Sequence, residues 1–266
     1  MNKTIFFVQI PDESPMSLEI RELMEVIDDD KFSEYKLTVS TYFPQMSDLY
    51  VRENPWLKKA IPVGSIEFVK DFLKRVHNIE VMNPIEVPRC LRHDKLLLRD
   101  YQIVPFDKIP DKGRYFIKDV SGLKMGSYCG DVENFKNNVE RYHVDTSHLF
   151  QISSPLNIQS EYRVFVMDNH VYGIQFYDGD PTIMPSPDEI NKIKEMILRY
   201  SMAKDCPKAY TMDVAIVKTN HGRDLALIEV HPFVSVGTYG CRGNFLIKMY
   251  QSGFEWYLKH NTEIAE

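Results

Sequence analysis

In the first part of the chain, segments whose apolar residues recur at every second position alternate with segments whose apolar residues recur at every third or fourth position. The first spacing is typical of strands and the second of helices. The helical spacing is clearest at 65–76, where apolar residues recur after Ser65, a residue type that caps helix N-termini. The same pattern predicts another helix at 17–27 and strands at 4–10 and 36–43. Together these segments predict a small α/β layer.

A stretch containing four prolines, at 83–110, interrupts this alternation. Prolines favour turns and loops over the interior of regular elements. The stretch is therefore predicted to be an irregular connection between two domains. We place an N-terminal domain with its linker at 1–110 and a second domain at 111–266.

Beyond residue 110 the pattern predicts strands in meander order with helices beside them. Asp168, Asn169 and His170 separate two alternating segments and are residue types typical of a tight hairpin. A segment with three glycines at 122–130 is predicted to be a loop. This order of elements favours an α+β fold over a doubly wound parallel sheet. The predicted strands are 114–120, 149–153, 161–167, 171–177, 210–217 and 225–233, and the predicted helices are 132–142, 187–201 and 244–259.

The composition is that of an ordinary globular protein, with 44% hydrophobic and 26% charged residues. A formal net charge of −6 gives no support for a nucleic-acid partner. The four cysteines form no Cys-x-x-Cys pair, which argues against a zinc knuckle or a dense disulfide framework. The N-terminal apolar run is too short for a membrane span and lacks a small-residue cleavage site, so we expect a cytoplasmic protein without a membrane partner.

Two of the predicted strands, 210–217 and 225–233, each carry a carboxylate in an otherwise apolar pattern. A buried Asp or Glu needs a cation, a metal or hydrogen bonds. The two-residue period of a strand puts Glu229 on the face shared by Leu227 and His231. If the strands are neighbours, Asp213 joins them, and Asp213, Glu229 and His231 form a candidate site for a divalent cation. The alternatives are carboxylates at a solvated sheet edge and a structural histidine.

Three basic residues lie in segments that are otherwise apolar or rich in glycine. Lys118 lies in a predicted core strand and must find an anion there. Lys124 lies among three glycines whose main-chain N–H groups can approach phosphate oxygens, although their spacing matches no standard nucleotide loop. Arg163 shares a strand face with Glu161. The alternatives are an exposed hairpin lysine for Lys124 and a solvated ion pair between Glu161 and Arg163.

The order of these motifs along the chain resembles the ATP-grasp superfamily. Within it, the segments Ile-Pro-Val-Gly-Ser-Ile-Glu-Phe-Val at 61–69, Glu-Tyr-Arg-Val-Phe-Val at 161–166 and Glu-Val-His-Pro-Phe at 229–233 resemble the clade named for an arginine and two lysines. The resemblance covers essentially the whole chain. It implies an α+β ATP-grasp fold, in which an N-terminal α/β pre-ATP-grasp domain precedes two α+β lobes with ATP between them.

The resemblance also implies roles for individual residues, with ATP and Mg²⁺, or Mn²⁺, as cofactors. Arg163 and Lys124 are expected to act in catalysis, Arg163 on the transferring phosphoryl group and Lys124 from the glycine loop. The hinge strand 149–153 is expected to contact adenine through main-chain groups. The residues assigned to nucleotide binding are Lys118, Lys124, Gln151, Ile152, Ser153, Glu161 and Arg163, and those assigned to the metal are Asp213, Glu229 and His231.

His231 departs from the usual family ending, Glu-x-Asn, which leaves the second metal and the identity of the metal open. The implied activity is an ATP-dependent carboxylate–amine ligase that acts through an acylphosphate. Its substrates would be a carboxylate and an amine carried by small molecules, peptides or proteins. The alternatives are an ATP-binding assembly factor without turnover, an ATP-dependent kinase, and a metal-binding protein that takes no nucleotide.

Overall fold

The computed structural model arranges the chain into three sheets with helices packed against them. None of the helices it describes is long and apolar enough to cross a membrane. The residues that it describes are 4–9, 18–28, 35–40, 48–79, 87–120 and 127–262.

The first sheet is parallel and has its earliest strand in the middle. Ser65 caps the helix that follows the third strand, and its hydroxyl accepts a hydrogen bond of 3.2 Å from the main-chain N–H of Phe68. The α/β layer and its predicted elements are confirmed, while Ile10, Ser17 and 41–43 lie outside the described residues. A short helix and the third strand were not predicted. The elements are β1 (Thr4–Gln9), α1 (Leu18–Asp28), β2 (Tyr35–Ser40), α2 (Asp48–Glu53), β3 (Ala60–Val63) and α3 (Ile66–His77).

The second sheet is antiparallel, with strands in the order β4-β7-β5-β6. One of its faces packs against a short helix through buried Ile117, Val132, Phe135, Phe150 and Ile152. The other face carries the side chain of Lys118. The elements of this part are α4 (Asp94–Leu97), β4 (Tyr101–Pro105), β5 (Arg114–Asp119), β6 (Tyr128–Asp131), α5 (Val132–Asn137) and β7 (Leu149–Ser153).

Three predictions for this part need correction. The stretch 83–110 is not wholly irregular, because it contains α4 and β4, and β4 forms an edge strand in which Pro105 is tolerated. The predicted loop 122–130 ends in β6, which pairs with β5. Helix 132–142 is shorter than predicted, since α5 ends before Asn138. The division of the chain near residue 110 stays a prediction.

The third sheet is antiparallel, with strands in the order β11-β10-β8-β9. Asp168 and Asn169 have positive φ angles of 48° and 65°, which confirms the predicted tight hairpin between β8 and β9. The helix predicted at 187–201 is confirmed, and Ser186 and Glu189 form a capping box at its start. The elements are β8 (Ile158–Met167), β9 (His170–Gly179), α6 (Pro187–Ser201), β10 (Ala209–Thr219), β11 (Gly222–Pro232) and α7 (Phe245–Thr262).

The two faces of the third sheet have different roles. Helix α6 covers one face through a large apolar cluster that includes Val164, Met212, Val214 and Leu227. The opposite face carries charged side chains from β8, β10 and β11, among them Arg163. Because Lys118 of the second sheet bonds to Glu229 on this face, the two sheets together form the walls of one polar site.

Helix α7 packs against the end of β11 at Gly253. A side-chain carbon at this position would lie 2.3 Å from the main-chain oxygen of Phe233, the residue directly after β11. No real side chain fits at that distance without movement of the backbone. The missing side chain of Gly253 therefore allows α7 to pack closely against the end of the strand that carries Glu229 and His231.

We expect Gly253→Ala to destabilise the protein. Alanine is favoured over glycine inside a helix by about 1 kcal/mol, but a backbone clash of this kind costs about 1–3 kcal/mol. The net loss is measured by urea unfolding, with Ser252→Ala in the same helix as a control that stays within about 0.5 kcal/mol of the wild type. A gain in stability for Gly253→Ala would contradict the close packing.

Candidate active site

Strand β11 contains one additional residue where it pairs with β10. Asp213 lies opposite Glu229, but the next residue of β10, Val214, lies opposite Leu227, so Ile228 is the additional residue. Leu227 is fully buried in the cluster under α6. The prediction that Glu229 shares a face with Leu227 is therefore wrong, because this β-bulge interrupts the two-residue period.

The bulge turns Glu229 to the face that also carries Asp213 and His231. One ligand atom from each of these three residues lies within 4.8 Å of the other two, a spacing that suits a shared cation. Carboxylate oxygens suit Mg²⁺ and Mn²⁺, whereas an imidazole nitrogen is more typical of ions such as Zn²⁺ and Fe²⁺. Thr211, opposite His231, adds a fully buried hydroxyl with no hydrogen-bond partner among the described residues. The donor set thus fits a divalent cation.

Arg163 and Asp213 form a buried bidentate ion pair. The Nε and Nη2 atoms of Arg163 donate to the two carboxylate oxygens of Asp213 at 2.7 and 2.6 Å, and Asp213 is only 1% exposed. The third guanidinium nitrogen, Nη1, donates to the main-chain oxygen of Gly237 at 3.1 Å. Burial tends to lower the pKa of Arg163, but its bonds to Asp213 outweigh this effect and raise the pKa, so the guanidinium stays charged.

Lys118 and His231 both bond to Glu229. Lys118 Nζ donates to one carboxylate oxygen, and His231 Nε2 lies 2.6 Å from the other. Burial tends to raise the pKa of Glu229, but His231 and Lys118 outweigh it and hold that pKa well below its usual range. Glu229 is therefore ionised at neutral pH, and its bond to Lys118 links β11 of the third sheet to β5 of the second.

Two tyrosines pack against the guanidinium of Arg163. Its central carbon lies 5.0 Å from the ring centre of Tyr239 and 5.8 Å from that of Tyr177, and the two rings are stacked 5.0 Å apart. The hydroxyl of Tyr177 donates to the carboxylate of Glu161. Burial raises the pKa of Glu161 despite this hydrogen bond. Arg163 and Glu161 share a face as predicted, but each pairs with a different partner.

The predicted hinge strand is β7, the strand that lies between β4 and β5. Gln151 lies opposite Lys118, and Ser153 lies two residues further along the same face. Ile152 points to the opposite face and packs in the core of the second sheet. Ser153 Oγ is buried without a hydrogen-bond partner among the described residues. The pairing of β7 with β4 and the pairing of β7 with β5 both end at Ser153. Main-chain contacts between this strand and adenine stay a prediction.

The structure brings together seven of the predicted site residues, on the faces of the second and third sheets that meet at the bond between Lys118 and Glu229. Lys124 lies outside the described residues. Sequence reasoning missed Tyr177 and Arg99, whose guanidinium bonds to the main chain of β11. The run Leu-Leu-Leu-Arg at 96–99 is a signal that could have found Arg99, because an arginine directly after an apolar helix end needs a partner. The residues brought together are Lys118, Gln151, Glu161, Arg163, Asp213, Glu229 and His231.

The fold and the charged site between its sheets define an ATP-grasp protein. A family model for the ATP-grasp domain, family 2 of the clade named for an arginine and two lysines, matches residues 97–249, more than half of the chain. The chain therefore belongs to this family, which confirms the resemblance identified in the sequence. No curated protein matches the chain.

Solved structures with this fold match almost the whole chain at low sequence identity. D-alanine–D-alanine ligase from Bacillus anthracis, complexed with ATP, is 12% identical, with a TM-score of 0.55 and coverage of 98% of both chains. The same enzyme from Helicobacter pylori is 13% identical, with a TM-score of 0.52 and coverage of 96% of this chain and 98% of the other. N5-carboxyaminoimidazole synthetase from Staphylococcus aureus is 15% identical, with a TM-score of 0.55 and coverage of 97% and 78%. At these identities the matches show the fold alone, and they confirm the predicted α+β ATP-grasp architecture.

We expect Arg163→Met to destabilise the protein strongly, because it leaves Asp213 buried without a cation. Breaking a buried ion pair on one side costs about 3–5 kcal/mol. Replacing both partners, in Arg163→Met with Asp213→Leu, is expected to restore most of this loss, since no charge is then left unpaired. Urea unfolding at neutral pH measures all three proteins.

The matched control is Arg199→Met, which removes an ion pair with Glu195 whose side chains are 41% and 52% exposed. Its cost is expected to stay below about 1 kcal/mol. Similar small losses for Arg163→Met and Arg199→Met would contradict the buried pair.

Proposed function

We propose that this protein is an ATP-dependent carboxylate–amine ligase that acts in the cytoplasm. The observation that carries the proposal is the meeting of two cations, Lys118 and Arg163, with two carboxylates, Asp213 and Glu229, on facing sheets of an ATP-grasp fold. A magnesium nucleotide presents the complementary charges, with negative phosphate oxygens for the cations and a metal for the carboxylates.

Binding of a triphosphate would exchange partners within this cluster. Lys118 donates to Glu229, and Arg163 donates to Asp213, so both cations already point at the acidic groups. Phosphate oxygens that take over these donors would release the carboxylate oxygens for a metal. The nucleotide would draw Lys118 and Arg163 away from the carboxylates, and the metal would draw the carboxylates away from Lys118 and Arg163. Binding of each is therefore expected to favour binding of the other.

Asp213, Glu229 and His231 would hold the cation, Mg²⁺ or Mn²⁺. When bound, such an ion would neutralise part of the negative charge of the phosphates. The chain itself would supply the remaining positive charge from Lys118 and from Arg163. Arg163 also bonds to Gly237 O and packs against the two tyrosine rings, so these contacts would keep its charge beside the transferring phosphoryl group after it leaves Asp213.

The remaining nucleotide contacts are proposed from the sequence motifs. Main-chain groups of Gln151, Ile152 and Ser153 would contact the base at the end of β7, and Glu161 would face the nucleotide from β8. Lys124 would cover the phosphates from the glycine-containing segment. Ser153 supports this proposal, because its buried hydroxyl needs a hydrogen-bond partner.

In the proposed reaction, a substrate carboxylate oxygen attacks the γ-phosphorus of ATP, which releases ADP and forms an acylphosphate. An amine nitrogen then attacks the acyl carbon, and the bond to the phosphate oxygen breaks with release of inorganic phosphate and a proton. The acylphosphate must be shielded from water between these steps, which suits a site enclosed by two sheets. The carboxylate and the amine would belong to small molecules, peptides or proteins.

The reaction is tested by release of ADP from ATP in the presence of pooled carboxylates and amines. Turnover is expected to require both substrates, and ¹⁸O from the labelled carboxylate is expected to appear in the released phosphate. Lys118→Met should lower the rate about tenfold or more, because a hydrogen bond to a charged group contributes about 1.5–3 kcal/mol.

Lys108→Met removes an exposed lysine of the same part of the chain and serves as the control that keeps full activity. A stable phosphorylated product that forms without an amine would instead identify a kinase. Tight nucleotide binding without turnover on any substrate pool would favour an assembly factor.

A further inference from the structure

We infer that Arg99 is a positioning residue that keeps Glu229 on the site face of β11. This inference rests on the proposed function, because it concerns the metal ligand of the proposed nucleotide site. Arg99 lies between α4 and β4, a segment that the sequence pattern identified only as a linker. Its guanidinium nevertheless reaches the strand that carries Glu229.

The face on which Glu229 lies is decided by a single additional residue. Leu227 points into the core under α6, and with the ordinary period of two Glu229 would follow it there. Ile228 breaks the period, so that Glu229 lies opposite Asp213 instead. A strand without the bulge, with Leu227 kept in the core, would bury this carboxylate among apolar side chains, away from Asp213 and Lys118.

Arg99 binds the two main-chain oxygens on the N-terminal side of Glu229. Its Nη1 donates to Leu227 O at 2.7 Å, and its Nη2 donates to Ile228 O at 3.2 Å. A bulge disrupts the local ladder and leaves main-chain groups without their usual partners. The planar guanidinium donates to two successive carbonyls from two nitrogens in a fixed geometry, whereas a lysine has a single ammonium nitrogen and no such fixed fork. Arg99 thus stabilises the conformation that turns Glu229 toward the site.

The same guanidinium connects the two walls of the site. Nη1 also donates to Leu97 O at 3.2 Å, so Arg99 joins the segment that leads into β4 to the bulge of β11. Burial lowers the pKa of Arg99 to about 10, while the nearby charges of Glu229 and Glu161 favour its charged form. At neutral pH Arg99 therefore remains a cation behind the carboxylates, where it fixes the backbone and adds positive charge.

The test compares Arg99→Lys with Arg92→Lys in calorimetric titrations with a non-hydrolysable ATP analogue. Arg92 is the matched control, because it lies in the same segment, donates to Val87 O at 2.8 Å and contacts the ring of Tyr101. We expect Arg99→Lys to raise the Mn²⁺ concentration needed for half-maximal analogue binding about tenfold or more. Binding of the analogue in EDTA should stay within about twofold of the wild type for both variants.

A merely structural role would give a different pattern. If Arg99→Lys weakens analogue binding equally with Mn²⁺ and in EDTA, or changes neither, the positioning role is wrong. If Arg99→Lys lowers the melting temperature more than Arg92→Lys does, Arg99→Gln is measured in the same way. A selective loss of Mn²⁺-dependent analogue binding in Arg99→Gln supports the positioning role, and an equal loss with Mn²⁺ and in EDTA overturns it.

If the wild-type protein binds no analogue under any condition, the proposed function is wrong, and the positioning role of Arg99 is tested by a second measurement. That measurement is titration with Mn²⁺ alone. Arg99→Lys should then weaken Mn²⁺ binding in the same direction as Glu229→Gln, and an affinity equal to that of the wild type would overturn the inference.

Discussion

The ion pair between Lys118 and Glu229 is the interaction on which the site depends, because it joins two sheets that have no strand in common. Its partners are separated by 111 residues in the chain, and only the packing of the second sheet against the third brings them together. Burying these charges costs free energy that their attraction only partly offsets. Partly buried, paired charges with shifted pKa values are typical of a functional site.

A second constraint follows from the geometry of β11. Glu229 reaches Lys118 only because the bulge at Ile228 shifts the strand by one residue. Asp213 needs no such device, since it lies opposite Arg163 in a regular part of the β8 and β10 pair. One candidate ligand, Asp213, is thus placed by ordinary strand pairing, and the other, Glu229, by an irregularity whose carbonyls bond to Arg99. The family match places both strands within the ATP-grasp domain.

Local signals were enough to predict many elements, but not the contacts between them. Strand β7 and helix α6 were predicted to the residue, because turn residues and the Ser186 cap mark their ends. The bulge was missed, since it is a property of the register between two strands and leaves no mark in the sequence of either. Strand β4 was missed because it is short and ends in Pro105. The candidate metal ligands lie close together, as the sequence predicted, although the reason given for the orientation of Glu229 was wrong and their metal role stays a prediction.

In the proposed site, Lys118 competes with a divalent cation for Glu229 and changes partner when a triphosphate binds. The most direct test is the affinity for Mn²⁺, measured from the electron paramagnetic resonance signal of the free ion, in the wild type and in Lys118→Met without nucleotide. We predict that Lys118→Met binds Mn²⁺ more tightly than the wild type and binds the ATP analogue more weakly. If both affinities fall together, or if neither changes, the claim is contradicted.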